Sequence, residues 1–125
     1  MTISIILPAF NEAQLLPSTL AAVHAARKAF DSVQWNSEVI VCDNNSTDAT
    51  SQIAREHGAR VVFEAVNMIG RARNAGASVA SGDWLVFIDA DSQPSIELFA
   101  AMIEAILSGR VLAGGSTVRM DTDDL

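Results

Sequence analysis

The chain of 125 residues has the length of a single domain, and half of its residues are hydrophobic, which is enough for a core of its own. Fifteen acidic residues against eight basic ones leave a net charge of −7, which excludes nucleic acid as an expected partner because it repels a phosphate backbone. No apolar run reaches the length of about eighteen residues that a membrane span needs. The N-terminus lacks a secretory signal pattern and the single cysteine, Cys42, is typical of a reducing compartment, so we expect a cytoplasmic location.

Apolar patterning predicts strands and helices in alternation. The first half of the chain is expected to form a strand at residues 3–7 that Pro8 ends, a helix at 15–30, a strand at 39–42, and a helix that Thr47 or Asp48 caps and that ends at Gly58. The second half is expected to form a strand at 60–63, a helix at 70–81, a strand at 84–88, a helix opened by Pro94 and a strand at 111–118. The helix after Pro94 is predicted to bury one stripe of side chains, namely Ile96, Ala100, Ile103 and Leu107.

This alternation predicts an α/β fold. Strands separated by helices of ten or more residues indicate parallel β-α-β units, and continuous apolar strands indicate a mostly parallel sheet that is covered on both faces. Ligands of such sheets bind beyond the carboxyl ends of the strands. Polar clusters follow three of the strands here, at residues 11–12, 43–48 and 89–91. We therefore expect these clusters to meet at one edge of the sheet.

Asp89 and Asp91 follow the most hydrophobic strand, and side chains two residues apart in an extended segment can point the same way. Two carboxylates, with a diphosphate supplying further oxygens, suit Mg²⁺ or Mn²⁺. The alternative is a turn that leads into the next helix. Asp43 can accept a hydrogen bond from a base or a ribose, although its neighbours Asn44, Asn45 and Ser46 are also ordinary turn formers.

Arg71 and Arg73 are the only closely spaced basic pair in the middle of the chain, at the start of the helix predicted for residues 70–81. Backbone N–H groups, the positive helix end and guanidinium groups can bind a diphosphate there. The alternative is a solvated helix start whose arginines pair with nearby acids. The turn after the first strand contains no glycine, which excludes the usual dinucleotide-binding and P-loop motifs.

Four segments, in this order, resemble the motifs of the family 2 glycosyltransferases. They are SIILPAFNE at residues 4–12, VCDNNSTDAT at 41–50, GRARNAG at 70–76 and FIDAD at 87–91. Many relatives have Asp-Asp-Gly-Ser where this chain has residues 43–46, so the identity of the base stays open. The resemblance implies a GT-A fold, a Rossmann-like three-layer sandwich. It also implies transfer of a sugar from a UDP- or GDP-linked donor to an acceptor hydroxyl, inverting and assisted by Mg²⁺ or Mn²⁺.

The resemblance implies roles for residues of these motifs. Those that it places around the donor are Pro8, Ala9 and Glu12 in the nucleotide pocket, Asp43 at the base, Arg73 near the diphosphate, Asp89 near ribose and metal, and Asp91 as the direct metal ligand. Arg71 stays a candidate for the diphosphate from its place at the helix start. No catalytic base is assigned, because Asp121, Asp123 and Asp124 lie in a terminal segment of unknown position.

Members of the family continue well beyond the length of this chain. We therefore expect residues 1–125 to be the donor-binding part only, with the acceptor half absent. A truncated sheet exposes an edge strand and an apolar patch, which predicts self-association into a homo-oligomer. For the full enzyme the resemblance implies synthesis of envelope polysaccharide or glycolipid and peripheral association with the inner face of the membrane. The alternative is a non-catalytic fragment that binds nucleotide sugar, or an interaction module.

Overall fold

The computed structural model describes residues 1–109 and the backbone of residues 118–120. The strands are β1 (Thr2–Ala9), β2 (Asn36–Asp43), β3 (Arg60–Phe63), β4 (Trp84–Ile88) and β5 (Val118–Met120). The helices are α1 (Leu16–Ala26), α2 (Thr50–Glu56), α3 (Ile69–Val79) and α4 (Ile96–Leu107), and a 3₁₀ helix at Arg27–Val33 continues α1. Within these ranges no helix is both long and apolar enough to cross a membrane.

The strands form one sheet in the order β3-β2-β1-β4-β5. Every pair is parallel except β4 with β5, which is antiparallel. The register sets Ala9 opposite Asp43, so β1 and β2 end together. The predicted α/β fold with a mostly parallel sheet is confirmed, and the carboxyl ends of β1, β2 and β4 share one edge.

The core lies between the sheet and the layer that contains α1 and α4. Alternate residues of the central strand β1, including Ile3, Ile5 and Leu7, are fully buried against this layer because side chains of a strand alternate between its faces. Helix α3 covers the other face, where a Cβ on Gly76 would lie 2.5 Å from Cγ2 of Ile6. The sheet is therefore buried on both faces, as its continuous apolar strands require.

The structure corrects several predicted boundaries, among them those of α2, which spans Thr50–Glu56 with Ala49 rather than Thr47 or Asp48 as its N-cap and which ends before Gly58. Pro8 does not end β1, which continues to Ala9, three residues beyond the last pairing of β1 with β4 at Ile6. The missing N–H of proline is tolerated where one neighbouring ladder has already ended. The helix predicted for residues 15–30 is divided into α1 and the 3₁₀ helix, and α3 ends at Val79 rather than at residue 81.

Cys42 is buried in β2, and burial together with Glu64 and Asp43 raises its pKa to about 11.

Of the stripe predicted for the helix after Pro94, only Ile103 is buried. Ile96 is 43% exposed and Leu107 65% exposed, and Ala100 is exposed as well. The buried residues of α4 are Phe99, Met102, Ile103 and Ala105. The ring of Phe99 stacks on Phe30 at a centroid distance of 5.4 Å, so the helix turns its larger side chains inward.

The strand predicted for residues 111–118 overlaps the described residues only at residue 118, which lies in β5 (Val118–Met120). Residues 111–117 and the acidic terminus with Asp121, Asp123 and Asp124 lie outside the described residues.

Candidate functional site

A cavity of about 400 Å³ opens at the carboxyl edge of the sheet, where β1, β2 and β4 end and α3 begins. The residues that line it are Pro8, Ala9, Phe10, Glu12, Asn44, Ile69, Asp89, Ala90 and Asp91. This position is the one at which open α/β sheets bind ligands. The cavity combines apolar walls with carboxylates, a composition typical of sites for small polar ligands.

The turn after β4 directs two carboxylates away from the core. Ala90 is buried, whereas Asp89 and Asp91 on either side of it are exposed. The turn is fixed from behind, because the buried hydroxyl of Thr19 in α1 donates to the Ala90 carbonyl at 2.8 Å. The Ser92 N–H donates to the Asp89 carbonyl at 3.0 Å. Both aspartates line the cavity, but they do so from a turn, the predicted alternative, and not from an extended segment.

Glu12 brings a third carboxylate to the cavity from the loop after β1. Its pKa is raised, first by burial and then by the negative charges of Asp91 and Asp48. Neighbouring carboxylates that repel each other attract a cation. No group of three or more potential ligands is close enough to hold a metal ion among the described residues. Asp89 and Asp91 instead suit an ion that takes its remaining oxygens from a bound phosphate and from water.

Asp43 and Asn44 at the end of β2 occupy different positions. Asp43 is 6% exposed, does not line the cavity, and accepts the Ser46 N–H at 2.9 Å, which is the turn chemistry that its neighbours favoured. Asn44 reaches the cavity, and its side-chain amide donates to the carbonyls of Glu64 and Val66. One carboxylate oxygen of Asp43 accepts no hydrogen bond from any described residue.

The two arginines of α3 lie in different surroundings, and neither lines the cavity. The guanidinium of Arg71, whose side chain is 55% exposed, pairs with Glu64 at 3.4 Å. This contact realises the alternative in which the helix start pairs with a nearby acid. Nε of Arg73 is buried and has no hydrogen-bond partner among the described residues. A buried N–H without an acceptor is unusual in native proteins.

The structure thus brings together five of the eight residues predicted from the sequence: Pro8, Ala9, Glu12, Asp89 and Asp91. Asp43, Arg71 and Arg73 stay outside the cavity lining. Phe10 and Asn44 lie inside the motifs but were not singled out, and Asn44 was interpreted as a turn former. Ile69 was missed because it precedes the third motif and carries no polar group.

The sequence model of the family described as Glycosyl transferase family 2 matches residues 4–124. An uncharacterized glycosyltransferase of Mycobacterium bovis is 39% identical over 89 residues, which cover 71% of this chain and 36% of that protein. Dolichol-phosphate mannosyltransferase of Pyrococcus furiosus is 32% identical over 124 residues, which cover 93% of this chain and 33% of that protein. The chain therefore spans about a third of the length of the curated relatives that it matches.

A solved structure with the same fold is glucosyl-3-phosphoglycerate synthase of Mycobacterium tuberculosis, in complex with Mn²⁺, UDP and glucosyl-3-phosphoglycerate. It superposes with a TM-score of 0.70 at 31% sequence identity, covering 86% of this chain and 40% of that one. The architecture around the cavity is thus shared with an enzyme whose structure holds a divalent metal and a nucleotide.

Proposed function

The chain belongs to glycosyl transferase family 2, and from this membership we propose that its cavity is the donor site for a nucleoside-diphosphate sugar. The observation that carries the proposal is the meeting of three sequence motifs at one cavity. Pro8, Ala9 and Glu12 come from the first, Asn44 from the second, and Asp89 and Asp91 from the fourth. Residues so far apart in sequence gather at one sheet edge because the strands are parallel. UDP or GDP carries the sugar in this proposal.

The metal part of the proposal rests on the carboxylates. Asp91 is the expected ligand of Mg²⁺ or Mn²⁺, with Asp89 beside it, and both are exposed at the cavity. The raised pKa of Glu12, to which Asp91 contributes, is consistent with a site that gains from a cation. When bound, such an ion supplies positive charge near a departing diphosphate.

For the diphosphate we propose the start of α3. Ile69, its first residue, lines the cavity, so the positive end of this helix lies beside the space proposed for the diphosphate. Arg73, with its unpartnered Nε, and Arg71, whose pairing with Glu64 is largely exposed, are candidates to contact the phosphates in the complex. Asp43 keeps one free carboxylate oxygen among the described contacts and stays the candidate for the base.

For the whole enzyme we propose attack by an acceptor hydroxyl on the anomeric carbon of the donor, with inversion. The base that accepts the hydroxyl proton is not assigned to any described residue. Residues 1–125 are proposed to be the donor-binding part, since the matched relatives are about three times longer. We also propose a cytoplasmic site of action at the inner face of the membrane, because the name of one relative, dolichol-phosphate mannosyltransferase, indicates a lipid-linked substrate.

The second candidate function is a non-catalytic module that binds nucleotide sugar. The residues of the cavity serve donor binding in both functions, so binding alone does not separate them. Release of free sugar or transfer to an acceptor by the purified chain separates the two functions. A binding module shows metal-dependent affinity for nucleotide and no turnover of the nucleotide sugar.

The donor site is tested by titration calorimetry of the chain with UDP and with GDP, each with Mn²⁺ and with chelator. We expect metal-dependent binding of one nucleotide, and a loss of about tenfold or more in Asp91→Asn because a metal ligand is replaced by a neutral amide. Glu104→Gln is the matched control, since it removes the same charge from an exposed position of α4 outside the cavity. Equal affinities of Asp91→Asn and the unsubstituted chain contradict the metal role, and no binding of either nucleotide contradicts the donor site.

A further inference from the structure

The loop that carries Glu12 is tied to the loop after β2 by side chains of the second motif. The Asn11 N–H donates to Ser46 Oγ at 2.9 Å, and the Thr47 N–H donates back to Asn11 Oδ1 at 2.8 Å. Asn11 has a φ of 51° and Asn45 a φ of 62°, so both loops turn through the left-handed region that asparagine tolerates. These two loops therefore form one unit at the rim of the cavity.

The next two peptides of the same loop are held by Thr50 and Asp48. The Glu12 N–H donates to Thr50 Oγ1 at 2.9 Å, and the Ala13 N–H donates to Asp48 Oδ2 at 3.2 Å. The hydroxyl of Thr50 in turn donates to Asp48 Oδ1. Thr50 is fully buried and begins α2, so its hydroxyl has a fixed position between the two loops.

Asp48 precedes α2 by two residues and connects the two loops through its carboxylate. One of its carboxylate oxygens accepts from the backbone and hydroxyl of Thr50, and the other reaches across to the first loop. The Thr50 hydroxyl is the main cause that lowers the pKa of Asp48, so the carboxylate stays ionised and accepts both sets of bonds. Its charge also contributes to the raised pKa of Glu12. Asp48 thus holds the peptide of Ala13 directly and acts on Glu12 through its charge.

We propose that Thr50 and Asp48 are positioning residues of the donor site, which hold the peptides of Glu12 and Ala13 so that Glu12 faces the cavity. Neither residue lines the cavity itself. This inference rests on the proposed function, because the orientation of Glu12 matters for binding only if the cavity is a donor site. The placement of the loop is a property of the ligand-free chain. Amide exchange measures the placement of the loop, and nucleotide affinity measures its effect on binding.

The test compares Thr50→Val, which removes the hydroxyl at nearly constant volume, with Thr50→Ser, which keeps it. Amide hydrogen exchange is followed by NMR in the ligand-free chain of 125 residues. We expect the Glu12 amide to exchange about five- to tenfold faster in Thr50→Val, because its acceptor is lost, and to stay within about twofold in Thr50→Ser. Amides of the central strand, such as that of Ile5, report on global stability.

The second measurement is affinity for UDP and GDP with Mn²⁺. We expect the preferred nucleotide to bind Thr50→Val about five- to tenfold more weakly, with rescue in Thr50→Ser. If Thr50→Val does not fold, Asp48→Asn takes its place as the test variant, because Asp48 is exposed. An amide keeps only one acceptor oxygen, so we expect faster exchange at Ala13 and weaker binding in this variant.

An unchanged Glu12 amide in Thr50→Val, or nucleotide affinity equal to that of the unsubstituted chain in both Thr50→Val and Asp48→Asn, overturns the inference. Failure of the unsubstituted chain to bind either nucleotide counts against the proposed function instead. The exchange rates of Glu12 and Ala13 then still decide whether Thr50 and Asp48 hold the loop.

Discussion

Glu38 joins three parts of the molecule through one carboxylate oxygen. Its Oε2 accepts the Ser81 N–H at 2.7 Å, the Ser81 hydroxyl at 2.9 Å, and the hydroxyl of Ser4 in the central strand. Ser4 Oγ in turn accepts the Gly82 N–H at 2.8 Å. The connection between α3 and β4 is thereby fixed to β1 and β2. Burial by itself raises the pKa of Glu38, but the bonds from Ser4 and Ser81, together with Arg60, lower it overall.

Glu38→Gln is expected to reduce the free energy of unfolding by about 1 kcal/mol at pH 7, because the bonds lose their charged acceptor. A folded-state pKa below the ordinary value of 4.5 means that the charge stabilises the fold above about pH 4.5, and that this contribution is lost as pH falls through the folded-state pKa. Urea unfolding of both chains at pH 7 and near pH 3 checks this. A difference that stays constant over this range, or an equal loss in the exposed Glu104→Gln, contradicts the prediction.

At the residue scale, the acidic residues of the cavity could be predicted from the sequence more readily than some of the apolar residues that line it. Asp89 and Asp91 could be predicted because they follow the carboxyl end of a parallel strand, although they lie in a turn and not in an extended segment. Arg71 depends on Glu64, a partner that only the fold supplies, whereas the bond of Asp43 with the Ser46 N–H is the local turn chemistry that its neighbours favoured. Ile69 could not be predicted, since an exposed apolar residue beside a cavity has no local sequence signal.

At the scale of elements, α3 packs closely against β1 at Gly76. A Cβ on Gly76 would meet Cγ2 of the fully buried Ile6 at 2.5 Å, and Cγ2 is attached directly to the Cβ of Ile6 and cannot swing away. At Gly70, in the first turn of the same helix, an added Cβ meets nothing within 4 Å.

Gly76→Ala is therefore expected to lower the free energy of unfolding by about 1–3 kcal/mol through overpacking, despite the better helix propensity of alanine. Gly70→Ala is the control and is expected to leave stability unchanged or to raise it by up to about 1 kcal/mol. Thermal and urea unfolding of the two variants decide the matter. Equal stabilities would show that α3 does not approach β1 this closely.

Sequence patterns predict the bounds of some elements, whereas tertiary packing determines which face of α4 is buried. β3 and β4 were predicted with their observed bounds, because each is a short apolar run between clear stops. α4 offers two overlapping stripes at helical spacing, and the sequence alone does not rank them. The stacking of Phe99 on Phe30 selects the observed face, which is a tertiary contact between distant segments.

At the scale of the whole molecule, several large apolar side chains are exposed near one edge of the sheet. Phe63, at the end of β3, is 59% exposed, as is Met68 in the following loop. β3 is an edge strand that pairs only with β2 among the described strands. Exposed apolar groups beside an unpaired edge favour association with a second copy.

We accordingly predict self-association of the chain at high concentration. Sedimentation equilibrium is expected to give a mass above 13.3 kDa that rises with concentration, and Phe63→Lys is expected to shift the equilibrium toward the monomer. Lys28→Arg, on the exposed surface of the 3₁₀ helix, is a control that leaves the β3 edge unchanged. A mass of 13.3 kDa at every concentration refutes self-association.

The strand order has a consequence for the folding of the chain. β1 lies between β2 and β4, but β2 follows it closely along the sequence, whereas β4 comes only after two further helices and another strand. Pairings between distant segments form slowly, because a long loop must close first. During synthesis on the ribosome, one edge of the apolar strand β1 therefore stays unpaired until β4 has been made. In that interval residues 2–9 are the segment that a chaperone for extended apolar chains has most reason to bind.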